Sequence, residues 1–213
     1  MTYMNQSMIW KKLVIHEKRF ATSDDIKALS KDLNKNYNDV IHYLQKYSYI
    51  HRIFRGIFYI KTPNEIKLGR LDFSPYEIVS QALTIKDVKN WYFGLETALK
   101  FNGLTHEYFT IDYVISDQHR ITKVIRILDR DFKFIKWSNK ITNFGIIKSK
   151  KLLRYSDKEK TILDIAYREK LKGSLDGAIS IISEYSEAMN KTKMKKYFEH
   201  YPKSFTTLLQ EYV

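Results

Sequence analysis

Three aspartates and a lysine have the spacing of metal-dependent phosphodiester cleavage. Asp112 or Asp117, followed by Asp131-Phe132-Lys133, matches the D…(D/E)-x-K pattern of such nucleases. In that chemistry two carboxylates hold Mg²⁺, and a lysine on the same strand face assists the attacking water. Asp131 and Lys133 alternate correctly to share a strand face. Against this, D-x-K recurs by composition in a chain rich in Asp and Lys, and Asp129-Arg130-Asp131 has the look of a turn, where an exposed acid needs no special explanation. Farther on, Glu159 and Asp164 are five residues apart. That spacing takes them off a common helix face, so Glu159 is expected exposed and Asp164 bonded to nearby backbone. The six histidines show no metal-ligand spacing, and cysteine is absent. Ser-His-Asp and glycine-rich phosphate motifs are missing, and Gly94 and Gly103 stand alone in turn-like contexts. No metal or other cofactor is expected.

A second set of residues points to binding rather than catalysis. Asn38, Asp39, His42, Gln45 and Lys46, led in by Lys35 and Asn36, fall between the apolar positions of a short helical pattern. Short polar side chains near a helix start reach base edges in a major groove, while lysines and helix amides hold phosphate. A hairpin follows directly, Ile50 to Ile60, with Arg55 at its tip beside Gly56 and Arg52 or His51 just below. Gly56 supplies the positive φ of a tight turn, and an arginine beside it suits a phosphate or minor-groove contact. An ordinary solvated helix face and surface hairpin would carry similar residues.

The elements that must position these residues are legible from periodicity. Ile9 and Leu13, with His16 or Phe20, mark a first helix. Thr22 or Ser23 caps a second, with Asp24 and Asp25 in its first turn and Ile26, Leu29 and Leu33 facing inward. Asn34-Lys35-Asn36 is a polar turn. Tyr37, Val40, Ile41, Leu44 and Tyr47 then form the buried stripe of a third helix. Three helices followed by a hairpin predict a winged helix–turn–helix over residues 1–62.

Residues 63–74, with Pro63 and Gly69, read as a linker. Ser74-Pro75-Tyr76-Glu77 is a capping box opening a helix to about Ile85. Trp91 to Gly94 is a short strand, and Leu95 to Phe101 a helix closed by Asn102-Gly103. Strands are predicted at 109–115, 122–128, 132–137 and 144–148, with a further short one at 152–155. Lys123-Val124-Ile125-Arg126-Ile127 alternates as though one sheet face were wet and basic. Helices at 156–170, 175–189, 191–200 and 204–212 close the chain. The fold class is therefore α+β, a winged module followed over 75–213 by a mixed α/β domain with a helical C-terminus.

Composition limits the partners. The 213 residues, 44% hydrophobic and 15% aromatic, can build real cores, and seven Gly and three Pro favour regular structure. The apolar runs are too short to span a bilayer, and Met1 to Trp10 does not resemble a secretory leader. With no cysteine, a cytoplasmic home is expected. The net charge is +13. A surplus this large fits a polyanionic partner, although a Lys-rich proteome would also raise it. Residues 1–70 hold 13 basic and 6 acidic side chains, and 120–160 hold 13 and 4. Lys123, Arg126, Lys133, Lys136, Lys148, Lys150 and Lys151 are accordingly expected to form a second basic surface, for DNA, RNA or an acidic protein.

Three motifs in order resemble the AbiEi-type antitoxins of type IV toxin–antitoxin systems, transcriptional regulators of viral defence. Ile53-Phe54-Arg55-Gly56-Ile57-Phe58-Tyr59 looks like that family's wing. Tyr92-Phe93-Gly94-Leu95-Glu96-Thr97-Ala98-Leu99 with Phe101-Asn102-Gly103-Leu104 is similar to its second-domain helix, and Ser156 to Asp164 to its helix after the sheet. The resemblance covers roughly 20–60 and 90–170. It implies a non-enzymatic repressor that binds an operator inverted repeat in its own promoter, as a monomer in solution with cooperative binding on DNA. The second domain would neutralise a nucleotidyltransferase-like toxin without a stable complex. A Mg²⁺-dependent nuclease targeted by the same winged module is the alternative.

Overall fold

Ile9 and Leu13, one helical turn apart, are almost wholly buried, and the rest of the N-terminal core assembles around them. The structure is a computed structural model that describes residues 6–149 and 152–212. Helix α1 spans Ser7–Ile15 and stops before His16, which is exposed. Phe20, expected on that helix, instead begins strand β1, Phe20–Thr22. Thr22, rather than Ser23, caps α2 (Ser23–Asp32), in a reciprocal capping box with Asp25. Such a cap typically stabilises a helix by about 1 kcal/mol. Helix α3 is Tyr37–Lys46, with Val40 and Leu44 buried. Tyr47, expected on the buried stripe, is 47% exposed because it caps the helix rather than continuing it.

Strands β2 (Ile50–Phe54) and β3 (Ile57–Ile60) complete the module, and the sheet order β1-β3-β2 is that of a winged helix–turn–helix. The central strand β3 is buried at every position. Phe58 and Ile60 face the helical core with Ile9, Ile26 and Val40. Tyr59 faces the other way, and something must cover it.

The cover is the segment expected as a linker. Residues 63–68 form helix α4 (Pro63–Leu68), opened by a Thr62–Glu65 capping box with Pro63 at the first position. Glu65 has a fully buried side chain. It accepts hydrogen bonds from Arg19 Nη2 at 2.7 Å, from the Asp72 amide at 2.8 Å and from the Tyr59 hydroxyl. Helix α5 (Pro75–Ile85), with the predicted Ser74 capping box, packs on β2 and β3. The N-terminal unit therefore runs to Asp87, correcting the boundaries at 62 and 75.

The second unit, from Val88, is built on a six-stranded mixed sheet of order β6-β7-β5-β4-β9-β8. Its strands are β4 (Trp91–Gly94), β5 (Ile111–Ser116), β6 (Ile121–Ile127), β7 (Arg130–Lys136), β8 (Ile146–Lys148) and β9 (Arg154–Ser156). Helix α6 (Leu95–Phe101) follows β4 as expected. A short helix α7 (Asn139–Thr142) follows β7. Helices α8 (Lys158–Leu171), α9 (Leu175–Tyr185), α10 (Lys191–Tyr197) and α11 (Lys203–Leu209) close the chain. Ile162, Ile182, Met194 and Phe205 carry them into one core with Tyr92 and Ile115 of the sheet.

Inside that core lies an ion pair. Lys160 and Asp164, one turn apart on α8, have no exposed side-chain area, and Nζ is 3.1 Å from Oδ1. Lys160 also donates to the Ile141 carbonyl at 2.7 Å and sits 4.2 Å from the Phe144 ring centre and 4.7 Å from that of Tyr92. Asp164 accepts from the hydroxyls of Tyr92 at 2.8 Å and Tyr201 at 2.5 Å. Burial pushes the Asp164 carboxyl up and the Lys160 ammonium down, and their mutual attraction opposes both shifts. Asp164 thus bonds distant tyrosines and Lys160, not local backbone. Glu159, expected exposed, is buried and held by Lys193 at 2.7 Å.

Two outcomes follow from these buried charges. Lys160→Ala leaves Asp164 without its counter-charge and should cost about 3–5 kcal/mol in urea unfolding; a loss below 1 kcal/mol would refute the pair's importance. For Glu65, burial alone would raise the carboxyl, but bonds from Tyr59, Asp72 and Thr62 and the Arg19 charge hold it below its ordinary 4.5. A depressed acid contributes stability above its unfolded value that is lost as pH falls through the folded one. Glu65→Gln should therefore flatten the N-terminal unit's loss of stability below pH 4.5, read by melting at stepped pH.

Candidate nucleic-acid interface

The outward side of α3 is a row at helical spacing. Asn38, His42 and Lys46 are four residues apart and all exposed, with Asp39 and Gln45 flanking them. Asn36 is the N-cap: its Oδ1 accepts from the Asn38 amide at 2.8 Å and the Asp39 amide at 3.4 Å. Its role is thus to start the helix, with its carbonyl oxygen already committed. Lys35 is half-buried, and its amide bonds the Ser30 carbonyl at 2.8 Å across the turn.

The hairpin register separates two residues that sequence treated as interchangeable. Arg52 pairs with Phe58 and His51 with Tyr59. Arg52 therefore shares the sheet face that packs on the helices, on the edge strand beside α3, and is exposed. His51 shares the opposite face, half-buried on the side of Tyr59 and Glu65. Burial first, then the Lys61 charge, lowers its value against the pull of Glu65, which disfavours the charged form a phosphate contact would use.

The wing itself is short. Phe54 pairs with Ile57, leaving Arg55 and Gly56 as a two-residue tip with Gly56 at φ +79°. Since Ile57 also pairs with Thr22, the tip ends level with the start of α2 instead of projecting beyond it. The Ser23 amide donates to the Gly56 carbonyl at 2.9 Å. The Tyr37 hydroxyl, at the first residue of α3, donates to Ser23 Oγ at 2.9 Å. Lys27 on α2 lies 5.7 Å from the Tyr37 ring centre. In the sequence Ser23 reads only as a cap and Lys27 as a solvated lysine, because neither carries a local signal for these contacts.

The second basic surface does not form as one. Lys123 and Arg126 lie on β6 and Lys148 on β8, the two edges of the sheet. Five strand spacings separate those edges, about 24 Å. Lys136 is exposed on β7, and Lys133 Nζ is turned onto the Thr122 carbonyl. Lys150 and Lys151 lie outside the described residues. Nor does β6 alternate simply: its register with β7 shifts between Ile121 and Ile125, and residues 122–124 bulge out exposed.

The carboxylate constellation is likewise divided. β5 and β7 run parallel with Ile111 opposite Asp131 and Asp112 opposite Phe132. Asp112 therefore points to one face of the sheet, and Asp131 with Lys133 to the other. Asp117 lies six residues beyond the level of Asp131, about 20 Å along the strands. Asp131 belongs to strand β7, not to a turn, and sits 3.4 Å from Arg126. Asp112 is fully buried, bonded to Lys100 Nζ at 2.8 Å and to Arg130 Nε and Nη2 at 2.8 and 2.7 Å. Among the described residues, no group of three or more His, Cys, Asp or Glu could hold a metal ion. No helix among them is long and apolar enough to cross a membrane.

No family model matches the chain, and no curated protein matches it. Among solved structures, the crystal structure of the RV2827C protein from Mycobacterium tuberculosis is similar, with a TM-score of 0.60 at 11% identity. The match covers 98% of this chain and 76% of that one. At that identity the likeness concerns the fold alone.

Asp112 reads as the counter-charge of Lys100 and Arg130. Asp112→Asn should cost about 3 kcal/mol in unfolding free energy, as expected for breaking a buried pair. Millimolar Mg²⁺ should leave the melting temperature of the native chain unchanged; a rise lost in Asp131→Ala would instead reveal a metal site.

Proposed function

We propose that this chain is a DNA-binding antitoxin and transcriptional autorepressor of a type IV toxin–antitoxin operon. The observation that carries the DNA-binding half is the Asn38-His42-Lys46 row on α3, with Arg52 on the adjoining edge strand and Arg55 at the wing tip. In this reading α3 enters the major groove of an operator inverted repeat, where Asn38 and His42 read base edges. Lys46, Arg52 and Arg55 hold phosphates, and Lys35 supports the turn before the helix. The chain's +13 charge favours such a polyanion at long range.

The antitoxin half rests on the resemblance of the three motifs. In this reading the second unit counters a nucleotidyltransferase-like toxin encoded beside it, in the cytoplasm. Glu159, Lys160 and Asp164 of the third motif are buried, as are Tyr92, Leu95 and Ala98 of the second. The buried positions of those motifs hold the unit together, so any toxin-facing surface must use exposed residues, whether inside the motifs, as Lys158 is, or outside them. Two copies on one inverted repeat, each arriving as a monomer, fit the reading.

The test is footprinting over the chain's own promoter at two salt concentrations. A protected inverted repeat with affinity falling steeply in salt is the expected result, and absence of protection removes the regulator reading. Arg55→Ala should weaken binding to every sequence and reduce the salt slope by about one. Asn38→Ala or His42→Ala should instead shrink the gap between operator and scrambled DNA, by about 1–3 kcal/mol.

A further inference from the structure

Ser23 meets both halves of the proposed DNA-reading surface. As the first residue of α2, its amide has no partner within the helix and must find one elsewhere. It finds the Gly56 carbonyl at the wing tip, 2.9 Å away. Its hydroxyl, on the other side, receives the Tyr37 hydroxyl at 2.9 Å, and Tyr37 is where α3 begins. A Cβ placed on Gly56 would come within 3.3 Å of Ser23 Oγ, so the hydroxyl sits beside the tip with little room for a side chain between them. Gly56 at φ +79° and the Thr22–Ile57 pair fix the tip from the remaining directions. The contacts thus run without a gap from the residue beside Arg55, through Ser23, to the residue before Asn38.

We infer that Ser23 is a positioning residue for DNA binding, which sets the wing-tip arginine at a fixed distance from the reading end of α3. The inference rests on the DNA-binding function proposed above. Its physical basis is the shortness of the wing. A long wing finds phosphate by flexing, whereas a two-residue tip reaches only where its base is held. If Arg55 is to contact phosphate while Asn38 faces a base edge, the spacing between tip and helix must match that of the duplex. Ser23 holds that spacing through one backbone and one side-chain hydrogen bond. Neither needs Ser23 to touch DNA.

The experiment compares Ser23→Ala, Ser23→Thr and Tyr37→Phe in the full chain, using the promoter repeat and a scrambled duplex of equal length. Ser23→Ala and Tyr37→Phe each remove the same hydroxyl contact, so each should weaken operator binding about fivefold, the worth of one neutral hydrogen bond. Their double variant should be no weaker than either alone. Binding to scrambled DNA should not change, and Ser23→Thr, which keeps the hydroxyl, should restore the operator preference. Arg55→Ala should lose less in the Ser23→Ala background than in the native chain. Operator affinity unchanged in Ser23→Ala would overturn the inference and leave the DNA-binding function standing, as would equal losses on both duplexes, which mark a merely structural role. Failure of the native chain to bind the promoter would remove both.

Discussion

A charge taken out of water must be met by an opposite charge or by hydrogen bonds, and both units of this protein are organised around that constraint. In the first, the Glu65 side chain is fully buried and reaches Arg19, 46 residues away, and Tyr59. In the second, Lys160 and Asp164 are fully buried and draw in Tyr92, 72 residues away, and Tyr201, 37 away. Losing one partner of such a group costs several kcal/mol, a large share of a domain's net stability. These groups therefore select one arrangement of the elements they join, where apolar packing alone would tolerate several.

The consequences reach the candidate interface. Because Glu65 anchors α4 over Tyr59, β3 is covered on both faces and the wing cannot sway as an isolated hairpin. Phe54 at the base of the tip is buried, and Lys86 after α5 lies 6.0 Å from its ring centre. The candidate interface thus consists of one exposed helix row, Arg52 on the edge strand and one arginine tip, on a sheet whose central strand is buried at every position. In the second unit, the C-terminal helices, which carry no recognisable motif, prove integral to the core. Lys193 bonds Asp157 and Glu159, and Tyr201 bonds Asp164. Removing them would strip partners from three acids.

Much of the local structure was legible because it depends on neighbours in sequence. The capping box at Ser74 and the strand–helix step from Trp91 to Phe101 stand where their residues predicted. The third helix, the Gly56 turn and the exposed Asn38, His42, Lys46, Arg52 and Arg55 likewise follow from periodicity. The errors have a common cause. Pro63 and Gly69 suggested a linker, yet they are the first helical residue and the left-handed cap of α4, roles that look identical until Glu65 finds Arg19. Glu159 seemed exposed because its partner Lys193 is 34 residues away. The residues grouped as one basic surface were close in sequence only: strand order puts Lys123 and Arg126 on one edge of the sheet and Lys148 on the other.

The sequence by itself determined the identity of most elements, though not of β1, α4 or α7, together with the winged order of the first unit and which side of α3 is polar. Caps, turns and hydrophobic spacing act over a few residues, and composition records them directly. Tertiary structure alone decided where the first unit ends, which of His51 and Arg52 lies on the helix side, and that Asp112 and Asp131 fall on opposite faces. It also decided that Ser23 joins the wing tip to the start of α3. Each of these depends on strand register or on a hydrogen bond between residues distant in the chain. A one-residue shift in pairing reverses the face a side chain occupies, and no local pattern encodes it.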